Sequence, residues 1–504
     1  MQALSKSKLL ALGHCRRRLW LDVHKPAARS PSDGSAALIE AGHRVGEIAR
    51  ALFDPERRGV LVDRSEGQEP AFARTAELLA ADNPIFEAGF SAGGTLIFAD
   101  ILAPASPAST GERAWRLIEV KSSGGVKDHY LDDVAVQVFV ADAAGVKIDE
   151  VSVAHIDTSW VYPGDGEYRG LLIERDVTVQ AQEGAARVSA WIEQANVVLA
   201  GDMPDVRRGR HCKAPVECGF AQFCAQLDPD PQFPSAWLPR VTSGALKALI
   251  EEQGVRDLTQ VPDNLLNPIQ LRVKQHTLSN AVYFNAVAAA AALKPYGFPA
   301  YFLDFETIQF AVPIWAGTKP FQQIPFQFSL HVMPAEDTFE HVDFLDLTGD
   351  NPSERLAHAL IHACGSQGVI FAYNAAFERG VILALAEQFP TLAAALRGIA
   401  GRLVDLLPLA REHFYHPSQK GSWSIKAVLP AIAPDLRYQD LEGVQHGGMA
   451  QEAYLEAIRP ETAPERRAVL RRQLERYCEL DTWAMVRLWQ FFTGRMYTAS
   501  SDQK

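Results

Sequence analysis

The chain has 504 residues, 47% of them hydrophobic and 22% charged, so it exceeds one hydrophobic core and has the composition of a folded protein rather than a disordered or collagenous one. At roughly 150 residues per domain, two to four domains are expected. Its net charge of −12, from 49 Lys and Arg against 61 Asp and Glu, excludes a non-specific nucleic-acid coat, and any nucleic-acid contact must come from local basic patches.

The N-terminus carries Lys6 and Lys8 but no apolar signal core, and a cytoplasmic protein is expected. Residues 36–53 place apolar side chains at helical spacing. Residues 85–102 read as two strands around a Ser-Ala-Gly-Gly turn, 115–121 as another strand, and 134–140 as the start of an apolar helix. Four prolines in 228–240 mark a linker, and 241–293 follows with a helical pattern. The longest uncharged apolar run, 281–293, is too short to span a bilayer. A buried strand is predicted at 300–306, further strands at 325–332 and 368–374, and a long amphipathic helix near 464–493. The fold class expected is α/β multidomain: a mixed α/β domain over 1–227, a linker and helical connector over 228–296, an α/β domain over 297–497, and a tail at 498–504.

Asp100 ends one strand, and Glu119 and Lys121 alternate onto one face of the next. Two carboxylates a hairpin-width apart can hold one or two Mg²⁺ ions, which polarise a phosphodiester and lower the pKa of an attacking water. Alone, a Glu-x-Lys pair also reads as a surface ion pair. With its surroundings, IFEAGF, FADIL, RLIEVKSS and YLDDVAVQVFV, it resembles the RecB-like branch of the PD-(D/E)xK nucleases over most of 1–227. That resemblance implies a restriction-endonuclease-like domain with Asp100 and Glu119 as metal carboxylates and Lys121 as catalytic lysine. It implies His43 as a further metal ligand and Gln137 as the glutamine after the core strands. The tyrosine common four residues after that glutamine is replaced here by Ala141.

Cys15 stands near the N-terminus, and Cys212, Cys218 and Cys224 fall in HCKAPVECGFAQFC beside Pro215. Such thiols act as small core hydrophobes or as ligands to tetrahedral Zn²⁺ or a [4Fe–4S] cluster. One distant cysteine plus three clustered ones resembles the iron–sulfur nucleases of the RecB and CRISPR-associated exonuclease groups, which implies a structural [4Fe–4S] cluster, with Zn²⁺ as the alternative. Cys364 and Cys478 are expected in the core. The basic residues Lys6, Lys8, Arg16, Arg17 and Arg18, with Arg207, Arg208, Arg210 and Lys213, flank the ligands. They are either a patch for a phosphate backbone or a solvated charge run.

In the last segment, LDFET puts Asp304 and Glu306 on one face of a buried strand, AYNAAFER offers Asn374 and Glu378, and RYCELD offers Tyr477 and Asp481 one helical turn apart. Buried acids need neutralisation, for which a divalent cation is suited. The pattern resembles the DEDD exonucleases of the DnaQ-like, ribonuclease H-type fold, over about 298–495. The resemblance implies Asp304, Glu306, Glu378 and Asp481 as ligands of Mg²⁺ or Mn²⁺, and Tyr477 as the residue that positions water. Glu378 stands where aspartate is usual, and Asp405 corresponds to a structural aspartate. Gly421 to Lys426 resembles a signature of a bacterial family of unknown function that joins these two halves. There Ser422 and Lys426 either contact substrate or belong to a helix-entry loop capped by Ser424. Together these features lead us to expect a metal-dependent nuclease acting on nucleic acid, DNA before RNA, with no membrane partner. The alternatives are a binding or scaffold protein with decayed sites and a zinc-clasped enzyme on another phosphoester.

Overall fold

The structure is a computed structural model that describes residues 4–30, 35–105, 113–214 and 217–495. Pro215 and the 498–504 tail lie outside the described residues. The chain divides into two compact units, Met1–Pro229 with Phe310–Gln322, and Asp230–Gln309 with Gln323–Lys504. Residues 230–296 therefore pack inside the second unit instead of forming a connector of their own. Among the described residues no helix is long and apolar enough to cross a membrane.

The first unit holds a seven-stranded mixed sheet. Its strands are β1 (Leu4–Ser5), β2 (Val60–Leu61), β3 (Ile85–Ala92), β4 (Thr95–Pro104), β5 (Trp115–Lys121), β6 (Ile148–Ile156) and β7 (Leu172–Asp176). They run in the order β2-β3-β4-β5-β6-β7, with β1 added beside β4. The β3–β4 turn contains Gly93 and Gly94 at φ 59° and 82°, a left-handed pair that only glycine adopts freely and that suits the twist of a tight hairpin. Helices α1 (Lys6–His14), α2 (Arg16–His24) and α3 (Ser35–Phe53) precede the hairpin. Helix α4 (Asp128–Ala143) is the crossover between the parallel strands β5 and β6. It starts six residues before the predicted 134–140 run because its first turn is polar. α5 (Val188–Ala200) and α6 (Ala221–Leu227) close the unit.

Strand alternation sorts the two faces. Trp115 and Leu117 join Val134, Val138 and the α1 residues Leu9 and Leu12 in one core, while Ile118 turns to the α3 side with Ala49 and Ile101. Glu119 and Lys121 therefore share the face that meets α4.

In the second unit, short helical turns over 235–265 lead to helix α7 (Pro268–Leu278), capped by Asn267 and Gln270 in a reciprocal capping box, and strand β8 (Tyr283–Phe284). Its five-stranded sheet comprises β9 (Ala300–Ile308), β10 (Ile324–Met333), β11 (Glu340–Leu345), β12 (Val369–Ala372) and β13 (Leu403–Asp405), in the order β11-β10-β9-β12-β13. β10 is antiparallel to both neighbours, and β9, β12 and β13 are parallel. Leu303 and Phe305 pack on α8 (Ser353–Cys364), α9 (Ala376–Gln388) and α10 (Ala393–Gly401). The opposite face carries Asp304 and Glu306. Helices α11 (Leu406–His413), α12 (Ile425–Ile432) and α13 (Gly447–Ile458) follow, with β14 (Phe414–Tyr415) beside β8. The last helix, α14 (Pro464–Thr493), is pinned to β10 where Gln327 Nε2 donates to Leu474 O at 3.0 Å and Ser329 Oγ meets Thr482 Oγ1 at 2.7 Å.

Candidate functional site

In the second unit, Asp304 and Glu306 of β9 and Asp481 of α14 bring ligand oxygens within 4.8 Å of one another. α14 carries Tyr477 one turn before Asp481, and both are buried. Tyr438 Oη donates to Asp481 Oδ1 at 2.5 Å. Lys426 Nζ donates to Tyr477 Oη and to Gln445 O, each at 3.1 Å, and lies 4.6 and 4.9 Å from the ring centres of Tyr438 and Tyr477. Lys426 therefore places a cation beside the triad. Glu378 lies outside the triad, yet Asp304 feels its charge, and its Oε2 is buried without a hydrogen-bond partner.

Burial, with mutual repulsion added, holds Asp304 well above the usual carboxylate range. Burial and the Asp481 charge push Glu306 up to about 8, and burial does the same to Glu378. Asp481 rises to about 6 by burial, against the hydrogen bond from Tyr438 and the charge of Lys426. Hard oxygen donors this close, each with its proton affinity raised by burial, fit Mg²⁺ or Mn²⁺.

Asp405 accepts the backbone N–H groups of Asn374 and Leu407, both at 2.9 Å, and caps α11. It holds the turn into α9, where Asn374 is exposed at φ 71°. In the Gly421–Lys426 stretch, Gly421 has φ 75° and a Cβ there would collide with Trp237 O, so glycine is required. Ser424 stands at the N-cap of α12 without a capping side-chain bond. Its N–H is instead bound by Ser422 Oγ at 3.2 Å, which corrects the expected cap.

In the first unit, β3, β4 and β5 contribute Glu87, Asp100 and Glu119. Asp100 Oδ2 accepts the N–H of Val120 at 2.7 Å, beyond the last β4–β5 pair, Ile101 with Ile118. Lys121 Nζ lies 2.5 Å from Glu119 Oε1 and 2.7 Å from Asp133 Oδ2. Gln137 Nε2 donates to Glu119 Oε2 at 2.6 Å and to Asp133 Oδ1 at 3.0 Å. Gln137 thus braces Glu119 and Asp133 from α4. The ion pair between Glu119 and Lys121 exists, but on the covered face of the sheet. Burial, then the charges of Asp100 and Asp133, push Glu119 up to about 7. Asp133 stays below the usual range because Lys6 and Lys121 together outweigh its burial.

Beside these groups a cleft of about 320 Å³ is lined by His43, Glu47, Arg50, Glu87 and Asp100. His43 is exposed on α3 and Glu87 has φ 54°. Asp100 shares this cleft with His43 and Glu87, while Glu119 does not line it and is held by Lys121 and Gln137.

Cys15, Cys212, Cys218 and Cys224 line one pocket with Arg17, Arg18, Arg207, Arg208 and His211. The two sequence segments therefore meet. Burial pushes the Cys218 and Cys224 thiols up, opposed by Arg18 at the first and Arg17 at the second. Arg17 Nη1 is buried without a hydrogen-bond partner. Four thiols ringed by cations suit a ligated group with net negative charge, as a thiolate-bound [4Fe–4S] cluster or zinc site would be. Two of the expected nucleic-acid contacts change. Arg17 is buried and donates to Pro204 O and Asp205 Oδ1 at 2.9 and 3.0 Å, so it is not available to a phosphate. Lys6 points its ammonium into the acidic site, 2.6 Å from Asp133 Oδ1. Arg16 and Arg207 remain exposed, while Arg208 Nε donates to Asp228 O at 3.0 Å. Cys364 and Cys478 are fully buried, as expected.

Residues 301–424 match a family model described as a domain of unknown function (DUF2779). The match takes in Asp304, Glu306, Asn374, Glu378 and Asp405 and ends before Lys426. No curated protein matches the chain.

Sequence reasoning missed Asp133, Glu87, Tyr438 and the placement of Lys6. Asp133 had a signal, because it lies four residues before Gln137 and so on the same helix face. Tyr438 had none, since it comes from a short helical turn between α12 and α13.

The raised carboxylates set a pH dependence. Glu119, Glu306, Glu378 and Asp481 bind protons more tightly folded than unfolded. Their contribution to stability is thus full below the unfolded pKa and lost as pH rises through the folded values. Without divalent ions the melting temperature should fall by several degrees between about pH 4.5 and 8. Added Mn²⁺ should restore more of it at the upper end. A flat profile in chelator would contradict this.

Proposed function

We propose that the chain is a metal-dependent nuclease that hydrolyses phosphodiester bonds at two acidic sites. The convergence of Asp304, Glu306 and Asp481 beside Tyr477 carries the reading. The strand order β11-β10-β9-β12-β13, with only β10 reversed against its neighbours among β9, β12 and β13, suits a ribonuclease H-like, DnaQ-type domain. The mixed sheet with Glu119 and Lys121 on the strand before the α4 crossover suits a RecB-like domain. On this reading the cysteine pocket holds a structural [4Fe–4S] cluster, with Zn²⁺ as the alternative, and the protein works in the cytoplasm. DNA is preferred to RNA because the first unit resembles DNA-processing nucleases.

Asp304, Glu306 and Asp481, with Glu378 nearby, would hold Mg²⁺ or Mn²⁺ in the second unit, and Asp100 and Glu119 in the first. A bound divalent ion supplies Lewis acidity toward the phosphodiester and a lowered pKa for water. The protein's own groups do the rest. Tyr438 and Lys426 hold Asp481 and Tyr477 in place, and the Tyr477 hydroxyl orients the attacking water. Gln137 fixes Glu119, and Lys121 offsets charge on the scissile phosphate.

The test is degradation of labelled single- and double-stranded DNA and RNA by the full chain, with Mg²⁺, Mn²⁺ or chelator. Ion-dependent cleavage with DNA preferred supports the reading. A chain that binds these strands but leaves them intact under every ion condition is instead the scaffold with decayed sites.

A further inference from the structure

We infer that Arg17 donates a hydrogen bond from Nη1 to the iron–sulfur cluster of the cysteine pocket and offsets the charge of an added electron there. The proposal deepens the reading of that pocket as a [4Fe–4S] site and rests on it. Arg17 is 6% exposed, and two of its three nitrogens are committed away from the thiols. Nε donates to Pro204 O at 2.9 Å and Nη2 to Asp205 Oδ1, on an exposed side chain, at 3.0 Å. The third, Nη1, is buried with no hydrogen-bond partner, although Arg17 lines the pocket with all four cysteines. A guanidinium is planar, so two bonds along one edge fix where the remaining N–H groups point. A buried donor left unpaired is costly, and an acceptor within the pocket removes that cost.

The backbone delivers Arg17 to this place. Cys15 is the N-cap of α2 and makes no side-chain capping bond, so the positive end of that helix lies at Cys15. Arg17 stands in the first turn. Trp20 Nε1 of the same helix donates to Gly201 O at 3.0 Å, which ties α2 to the stretch that follows α5. Arg17 then bonds residues 204 and 205 of that stretch, just before Cys212. Its charge opposes the effect of burial on the Cys224 thiol, as Arg18 does at Cys218. Arg18 Nε is also buried without a hydrogen-bond partner, with Asp22 Oδ2 3.8 Å away.

The thiols are spaced for a cluster. Among the described residues, the one group of three or more His, Cys, Asp or Glu donors within 4.8 Å of one another is Asp304, Glu306 and Asp481. No three of the four sulfurs are therefore that close. Tetrahedral zinc, with bonds of about 2.3 Å, needs sulfurs about 3.8 Å apart, whereas the thiolates of a [4Fe–4S] cluster stand farther apart, on the outer corners of a cube. The cluster also offers inorganic sulfides as hydrogen-bond acceptors, which zinc does not. With four thiolates its oxidised form carries two negative charges and its one-electron reduced form three. A buried cation beside it favours the reduced form.

The test uses the full chain purified without oxygen. Iron and acid-labile sulfide are counted, and the reduction midpoint is read by electron paramagnetic resonance in a dithionite titration. The native chain should hold iron and sulfide and take up one electron. Arg17→Met and Arg17→Gln should each move the midpoint to more negative values by a tenfold change in the equilibrium, about 59 mV for one electron. Arg17→Lys, which keeps the charge, should recover part of that shift. Asp205→Ala, which removes the exposed anchor and leaves Nη1, should keep the native midpoint. A native midpoint in Arg17→Met or Arg17→Gln overturns the proposal. So does an equal shift in Asp205→Ala, or a native cluster that dithionite leaves oxidised, whether or not the Arg17 variants fold. A native chain with zinc and no iron overturns the cluster reading itself.

Discussion

In a chain already carrying Glu119→Ala, replacement of Asp304 by alanine is expected to slow trimming of a labelled DNA strand on the order of 10³-fold, because preorganised charge at the reacting phosphate is lost. The same change should abolish the Mn²⁺-induced rise in melting temperature that the second unit supplies by mass action. Asp304 sits at the centre of the cluster, and its proton affinity is raised by burial, Asp481, Glu378 and Glu306 in turn. Without it the remaining acids lack the convergence that binds an ion. Tyr477→Phe separates the two effects. The hydroxyl orients water and accepts from Lys426, so its loss should keep the thermal response and slow trimming about 10²-fold. Equal trimming by the Asp304→Ala chain and its parent would mean that the second site is misassigned.

Cys218→Ala should lower solubility, thermal stability and bound metal together. Cys15 and the later three cysteines are almost two hundred residues apart in sequence, so a group ligated by all four closes a very long loop and contributes its binding energy to folding. Cys218 is buried among Leu21, Phe220 and Cys224, yet removal of one sulfur from a packed site has a modest cost by itself. Loss of absorbance near 400 nm along with a drop of several degrees in melting temperature would identify a structural iron–sulfur cluster. Wild-type stability and full metal content in this variant would remove the cysteines from that role.

The parts of the molecule set by local pattern were readable in the sequence. The strand at 115–121 and the helix at 464–493 coincide with β5 and α14, because alternation and helical periodicity over these lengths are strong signals. Asp304 and Glu306 were legible as acids on one strand face, whereas their grouping with Asp481 came from the resemblance to the DEDD exonucleases. What was not readable depends on tertiary approach. Residues 310–322 leave the second unit's stretch of chain and pack in the first, where Val312 joins Val45, Ile48 and Ile156. Nothing in their composition marks that excursion. Lys6 and Arg17 both sat in a basic run that read as surface, yet Lys6 reaches the buried Asp133 and Arg17 is itself buried, donating to Pro204 O and to the exposed Asp205, all far along the chain. Ion pairs of such separation leave no spacing rule to detect them. Glu378 was assigned with the triad by motif, but its carboxylate does not join the three that converge.

The most direct measurement is cleavage of labelled single-stranded DNA by the full chain in Mn²⁺, compared with the Glu119→Ala, Asp304→Ala double variant. Cleavage by the native chain that chelator stops, retained in part by each single variant and lost to background in the double variant, is the expected result. Equal cleavage by the native chain and the double variant, or none by the native chain with either Mg²⁺ or Mn²⁺, would contradict a nuclease built on these two sites.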